Sequence, residues 1–105
     1  MSAAARARRL DERAEIVVIE QSDYVSFANC GMPYHLSGDI ERRDDLLLHT
    51  PASLGAALAL AVRTGNRVTA LERAARTVSV TTSESSYQLA YDALLLSPGA
   101  VAVRP

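Results

Sequence analysis

The chain has 105 residues, a net charge of −1 and 49% hydrophobic residues, which makes it one small domain at most, with apolar material for a modest core. Charge this evenly balanced gives no basis for broad electrostatic attraction to nucleic acid or to an anionic membrane. Its single cysteine excludes an internal disulfide and suits a reducing compartment.

The opening Met1-Ser-Ala-Ala-Ala-Arg-Ala-Arg-Arg lacks the apolar core of a secretory signal. Its Arg- and Ala-rich composition imitates a transit peptide, but it runs straight into a strand pattern. The longest apolar stretch, Leu54 to Val62, is too short to cross a bilayer. The sequence therefore predicts a cytoplasmic protein, with no metal site.

Residues 2–13 are rich in Ala, Leu and Arg and free of Gly and Pro, which predicts a helix. Arg6, Arg9 and Arg13 fall on one side of it, and Ala3, Ala7 and Leu10 are expected to face inward. Glu15-Ile-Val-Val-Ile-Glu20 is a β-branched run bounded by charge, the pattern of a parallel strand covered on both faces. Residues 21–38 read as a loop and short helix, followed by a charged linker from Gly38 to Asp45. Thr50-Pro51 reads as an N-cap with proline at the first helical position, opening a helix to about Leu58. Leu60 to Arg63, Arg67 to Leu71, Thr77 to Thr81 and Tyr87 to Tyr91 are short strand candidates separated by turn-like stretches. The last three predict an antiparallel meander. Ala93-Leu-Leu-Leu96 reads as a buried return strand ending at Ser97-Pro-Gly-Ala100.

Helix followed directly by a parallel strand is the second half of a β-α-β unit. In dinucleotide-binding units of this kind a glycine-rich turn meets the pyrophosphate, and an acid about 20 residues later binds the ribose. Glu20 stands where that acid belongs, and counting back places the glycines at or before Met1. The expected fold class is accordingly α/β, a partial Rossmann-like domain of parallel sheet plus antiparallel β-meander, lacking the first strand and glycine loop. A surface glutamate ending a strand is the plainer alternative for Glu20.

Cys30 lies in Ser26-Phe-Ala-Asn-Cys-Gly-Met-Pro-Tyr34. A thiol is a useful nucleophile when polar donors or a helix N-terminus stabilise its thiolate. Ser26 and Asn29 are candidate donors, and Gly31 would let a flat ring approach the backbone. The alternative is a buried structural cysteine, and composition alone leaves both open.

The segment Ser26 to Tyr34 resembles the active-site signature of the single-cysteine, FAD-dependent disulfide reductases of the coenzyme A disulfide reductase and NADH oxidase type. The resemblance continues through Ala3 to Leu10, Ile16 to Glu20, Leu46 to Ser53, Val68 to Val80 and Tyr91 to Pro105. It implies that residues 1–105 are a partial FAD-binding domain, with Cys30 against the flavin and NAD(P)H as the electron source. It implies a redox centre of Cys30 supported by Asn29 and Ser26, cycling between thiolate and a mixed disulfide with coenzyme A, or a sulfenic acid. FAD contacts are implied at Glu20 for the ribose, Val68 beside the adenine, and Ser97, Gly99 and Ala100 after the last strand. Ser2, Arg6 and Arg9 correspond to residues that contact the phosphates of coenzyme A, a role that suits guanidinium groups; a solvated helix face is the alternative. His35 and His49 have no matching role and are expected to be structural or surface residues.

The resemblance also implies parts outside this chain: the first strand and glycine loop before Met1, and nicotinamide and dimerisation domains after Pro105. The expectation is an oxidoreductase portion that is inactive alone, or one that associates with a second copy or a complementing chain. A small non-enzymatic thiol or nucleotide-binding module is the alternative.

Overall fold

The computed structural model describes residues 1–101 and residue 103; Ala102, Arg104 and Pro105, the end of the stretch resembling the reductases, lie outside the described residues. Helix α1 spans Ser2–Leu10 and leads to strand β1, Val17–Ile19. A 3-10 turn at Asn29–Gly31 runs into helix α2, Met32–Ser37, and a second 3-10 turn covers Arg43–Leu46. Helix α3, Pro51–Leu58, precedes strands β2 (Ala61–Arg63), β3 (Arg67–Glu72), β4 (Thr77–Thr81) and β5 (Ser86–Ala90).

The strands form two sheets. β1 and β2 pair in parallel, with Val18 opposite Val62, while β3, β4 and β5 form an antiparallel meander. The pairing shifts by one residue between Val68 and Ala70, a bulge at Thr69 that increases local twist. The α/β class, the parallel pair and the meander are those expected from the sequence. Helix α3 begins as anticipated: the Thr50 side chain accepts from the Ser53 backbone N–H, and the Ser53 hydroxyl accepts in return from the Thr50 N–H.

Three expectations are corrected. Helix α1 stops at Leu10, not Arg13, because Asp11 is extended and its carboxylate accepts from the Arg13 backbone N–H at 2.8 Å, a local bond that competes with the helix. Its inward residues are Ala4, Ala5 and Arg8, whereas Ala3, Ala7 and Leu10 are exposed. Arg8 selects that face: its guanidinium donates to the carbonyls of Leu58 and Ala59, each at 2.9 Å, closing the end of α3. The αL conformation of Ala59, φ 49°, terminates α3 and exposes those carbonyls to the arginine. Arg8→Ala is expected to lower unfolding free energy by about 1–3 kcal/mol through the lost charge-assisted bonds, read by urea denaturation; Arg8→Lys should recover only part of it, having no fork.

The third correction concerns residues 93–96. They are not a strand, and Leu94, Leu95 and Leu96 are 40%, 69% and 66% exposed. A strand exists only with a ladder partner, and among the described residues β1 pairs with β2 alone. For the same reason β1 is half-buried and not covered on both faces.

The core is correspondingly small. Leu46, Leu54, Leu60, Val78 and Val80 are buried. The accessible surface is 8280 Å², against about 5700 Å² for a compact monomer of this size. The radius of gyration is 15.9 Å, where about 13 Å is usual near 100 residues. The two sheets are joined by polar contacts: Arg63 donates to the Tyr87 hydroxyl at 3.1 Å and lies 5.4 Å from its ring centroid, and that hydroxyl donates to Asn66 at 2.8 Å.

Candidate functional site

Two features carry chemistry. The first is the turn around Cys30. The Ala28 backbone N–H donates to the Leu46 carbonyl at 2.8 Å, and Gly31 N–H donates to Ala28 carbonyl at 2.9 Å, which fixes the approach to α2. Cys30 is exposed at this turn, and that rules out the buried structural cysteine left open by the sequence. Asn29 is exposed on the cysteine's own turn, and Ser26 is half-buried three residues before that turn.

Gly31 has a different role from the one expected. It is buried, with an ordinary φ of −81°, and a Cβ there would stand 2.6 Å from Leu46 Cδ2. The missing side chain makes room for Leu46 and leaves no space for an external ring. His35 is structural, as anticipated: its Nδ1 meets the Ile40 carbonyl at 2.7 Å, while His49 is exposed.

The second feature is a groove of about 1700 Å³ between β1, α1, the meander and residues 90–101. Glu20, Val68, Ser97, Gly99 and Ala100, drawn from separate parts of the chain, all line it, and so does Ser2. Glu20 sits one residue beyond β1, with one carboxylate oxygen, Oε1, accepting from the Ser22 N–H and hydroxyl, both at 2.8 Å. These bonds orient the carboxylate and leave its other oxygen free to accept. Gly99 adopts φ 74°, a conformation that favours glycine, and nothing approaches within 4 Å of its Cβ position. A large ligand can therefore pass close to that backbone. Arg6 and Arg9 stand exposed on α1 and do not line the groove, so the structure separates them from Glu20 and its neighbours. Arg8, which sequence reasoning did not single out, is the arginine of α1 with a fixed partner.

No family model matches the chain. Curated proteins do. The coenzyme A disulfide reductase of Staphylococcus epidermidis is 37% identical over 103 residues, 96% of this chain, and that of Staphylococcus haemolyticus is 36% identical over 99 residues. The reduced Bacillus anthracis CoADR-RHD crystal structure superposes with a TM-score of 0.92 at 39% identity over 99% of the chain. By sequence and by fold, this chain is a homologue of the coenzyme A disulfide reductases.

Two further solved structures are similar to the chain. A NAD-dependent persulfide reductase from A. fulgidus matches over 86% of the chain with a TM-score of 0.82 and 34% identity. The water-forming NADH oxidase of Lactobacillus brevis matches over 98% with a TM-score of 0.88 and 26% identity. The chain spans about a quarter of the length of the curated reductases, 24% for the S. epidermidis protein, and 19% of the B. anthracis chain. Among the described residues no helix is long and apolar enough to cross a membrane.

Proposed function

We propose that residues 1–105 form part of the FAD-binding domain of a cytoplasmic NAD(P)H-dependent disulfide oxidoreductase, with Cys30 as its redox centre and coenzyme A disulfide as its substrate. The observation that carries this reading is the common groove: residues matched to flavin contacts at three separate places in the chain, Glu20, Val68 and the turn holding Ser97, Gly99 and Ala100, line one surface. Glu20 offers its free oxygen to the ribose hydroxyls, Val68 flanks the adenine, and Ser97, Gly99 and Ala100 provide an open turn for the isoalloxazine side. FAD supplies two-electron transfer when bound.

Cys30 supplies the sulfur chemistry. Its thiolate attacks one sulfur of coenzyme A disulfide, the S–S bond breaks, and one coenzyme A leaves as thiolate, with Cys30 holding the other as a mixed disulfide. Regenerating the cysteine takes two electrons, for which NAD(P)H is the donor. Ser26 and Asn29 donate to the cysteine sulfur or the bound disulfide. Ser2, Arg6 and Arg9 share a face of α1 and engage the phosphates of coenzyme A. The exposure of Cys30 supports a reducing cytoplasm as the place of action.

A glycine loop is the main source of pyrophosphate contacts in such domains, and the groove-lining residues provide none. Flavin affinity of this chain is therefore expected to be weak. Titrating FAD against an excess of the chain should give a saturable perturbation of the visible spectrum, with the flavin lost on desalting. Glu20→Ala should weaken binding about tenfold, the loss of one charge-assisted bond. A spectrum unchanged at every concentration, or one indifferent to Glu20, would remove the assignment of the groove to flavin.

A further inference from the structure

The stretch that leads to Cys30 is attached twice to one small platform, the 3-10 turn Arg43–Leu46. The turn is bonded within its own neighbourhood: the Asp45 N–H donates to the Arg42 carbonyl at 3.1 Å, and the Leu47 N–H to the Asp44 carbonyl at 3.0 Å. The buried side chain of Leu46 roots it in the core. At one end of the turn the Leu46 carbonyl accepts from the Ala28 N–H at 2.8 Å. At the other end the Arg43 guanidinium lies 5.4 Å from the centroid of the Tyr24 ring, within the range of a cation–π attraction. Upstream, the Tyr24 N–H donates to the Ser22 hydroxyl at 3.3 Å, and the Ser22 carbonyl accepts from the Gly65 N–H at 3.1 Å. The loop therefore reaches Tyr24 already tied to the turn after β2.

Ser26 lies midway between the two attachments and is half-buried. The Ala28 backbone bond fixes the stretch on one side of it, and the Tyr24–Arg43 contact fixes the other. We infer that Tyr24, through its contact with Arg43, is a positioning residue that holds the Ser26 hydroxyl where it can serve the Cys30 sulfur. The inference deepens the redox reading and rests on the donor role proposed there for Ser26. Tyr24 and Arg43 both lie outside the Ser26 to Tyr34 segment that carries the resemblance, so this clasp belongs to the fold around the signature. A partly exposed cation–π contact corresponds to a factor of about two to five in an equilibrium. Its loss should slow a reaction that depends on Ser26 by about that factor, and by no more than loss of Ser26 itself.

The test is the rate at which the full chain takes up coenzyme A from its disulfide, followed by mass spectrometry. Tyr24→Leu and Arg43→Gln should each slow capture about two- to fivefold, and together no more than either alone, since they break one contact. Tyr24→Phe keeps the ring and should stay within about twofold of wild type. The deciding comparison is made in a Ser26→Ala background. There Tyr24→Leu should have no further effect, whereas a general loosening of the chain would slow capture in both backgrounds. Equal slowing in both would overturn the inference. So would a Tyr24→Leu rate equal to wild type, or a Tyr24→Phe rate as low as that of Tyr24→Leu. Alkylation of Cys30 by iodoacetamide, run on the same variants, needs no disulfide. Alkylation that depends on Tyr24 in a chain that takes up no coenzyme A would sink the coenzyme A reading and leave the clasp standing. Alkylation indifferent to Tyr24 in such a chain would overturn both.

Discussion

Leu46→Ala is expected to lower the free energy of unfolding by about 2–5 kcal/mol, the range for emptying a buried leucine site. Leu46 is 1% exposed and sits at the end of a 3-10 turn, where its carbonyl accepts from Ala28 at 2.8 Å. With five buried hydrophobics in all among the described residues, the loss of one removes a large share of the core. Gly31→Ala is expected to cost about 1–3 kcal/mol by overpacking, because its Cβ would meet Leu46 Cδ2 at 2.6 Å and Ile40 Cδ1 at 3.4 Å. The two changes share one volume, so their costs should not add. In the double variant the alanine methyl occupies space vacated by the leucine, and the pair should cost less than the sum. Urea denaturation of the two single variants and the double variant checks this. A strictly additive result would mean that Leu46 does not fill the space at Gly31.

Cys30→Ser is expected to abolish covalent capture of coenzyme A disulfide. The chain has one cysteine and it is exposed, so the wild-type chain should gain a single coenzyme A by mass spectrometry, release it to dithiothreitol, and the serine variant should gain none. Ser26→Ala and Asn29→Ala should keep the stoichiometry of one and slow capture about tenfold each, the worth of a hydrogen bond to a reacting sulfur. Replacing Arg6 and Arg9 together by alanine should slow capture of coenzyme A disulfide about tenfold while leaving a small uncharged disulfide unaffected. Capture equally fast with and without the arginines would confine the role of α1 to solvation.

What was legible in the sequence was what neighbouring residues decide. The Thr50–Pro51 start of α3, the three-stranded meander from Arg67 onward and the short helix after Cys30 rest on local patterns, and the structure carries all three. Arg8 escaped notice because its partners are 50 and 51 residues away, and helical spacing assigned the packing face to Ala3, Ala7 and Leu10 instead. Composition leaves Gly31 as a place where a ring could approach the backbone; only the fold brings Leu46 over it. Ala93 to Leu96 has the composition of a buried strand, but pairing is a property of neighbours, and the edge beside β1 is open among the described residues. For the candidate site, Glu20 is singled out by its place after an apolar strand, and Ser97, Gly99 and Ala100 by the family resemblance. Their convergence on one groove could not be read from spacing, because they lie on separate elements.

The Tyr87 hydroxyl has a consequence for how wide that groove can be. One wall is carried by β1, and another by Val68, Leu71, Val78 and Leu89 of the meander. The walls are held together by Arg63, Tyr87 and Asn66 through polar contacts at 3.1 and 2.8 Å. Bonds of this kind contribute about 1 kcal/mol each, since water replaces them when they open. The pair of bonds thus acts as a hinge pin, and a change of angle between the sheets costs far less than opening a packed seam would. Removing the pin with Tyr87→Phe would leave each sheet intact and loosen only the jaw between them.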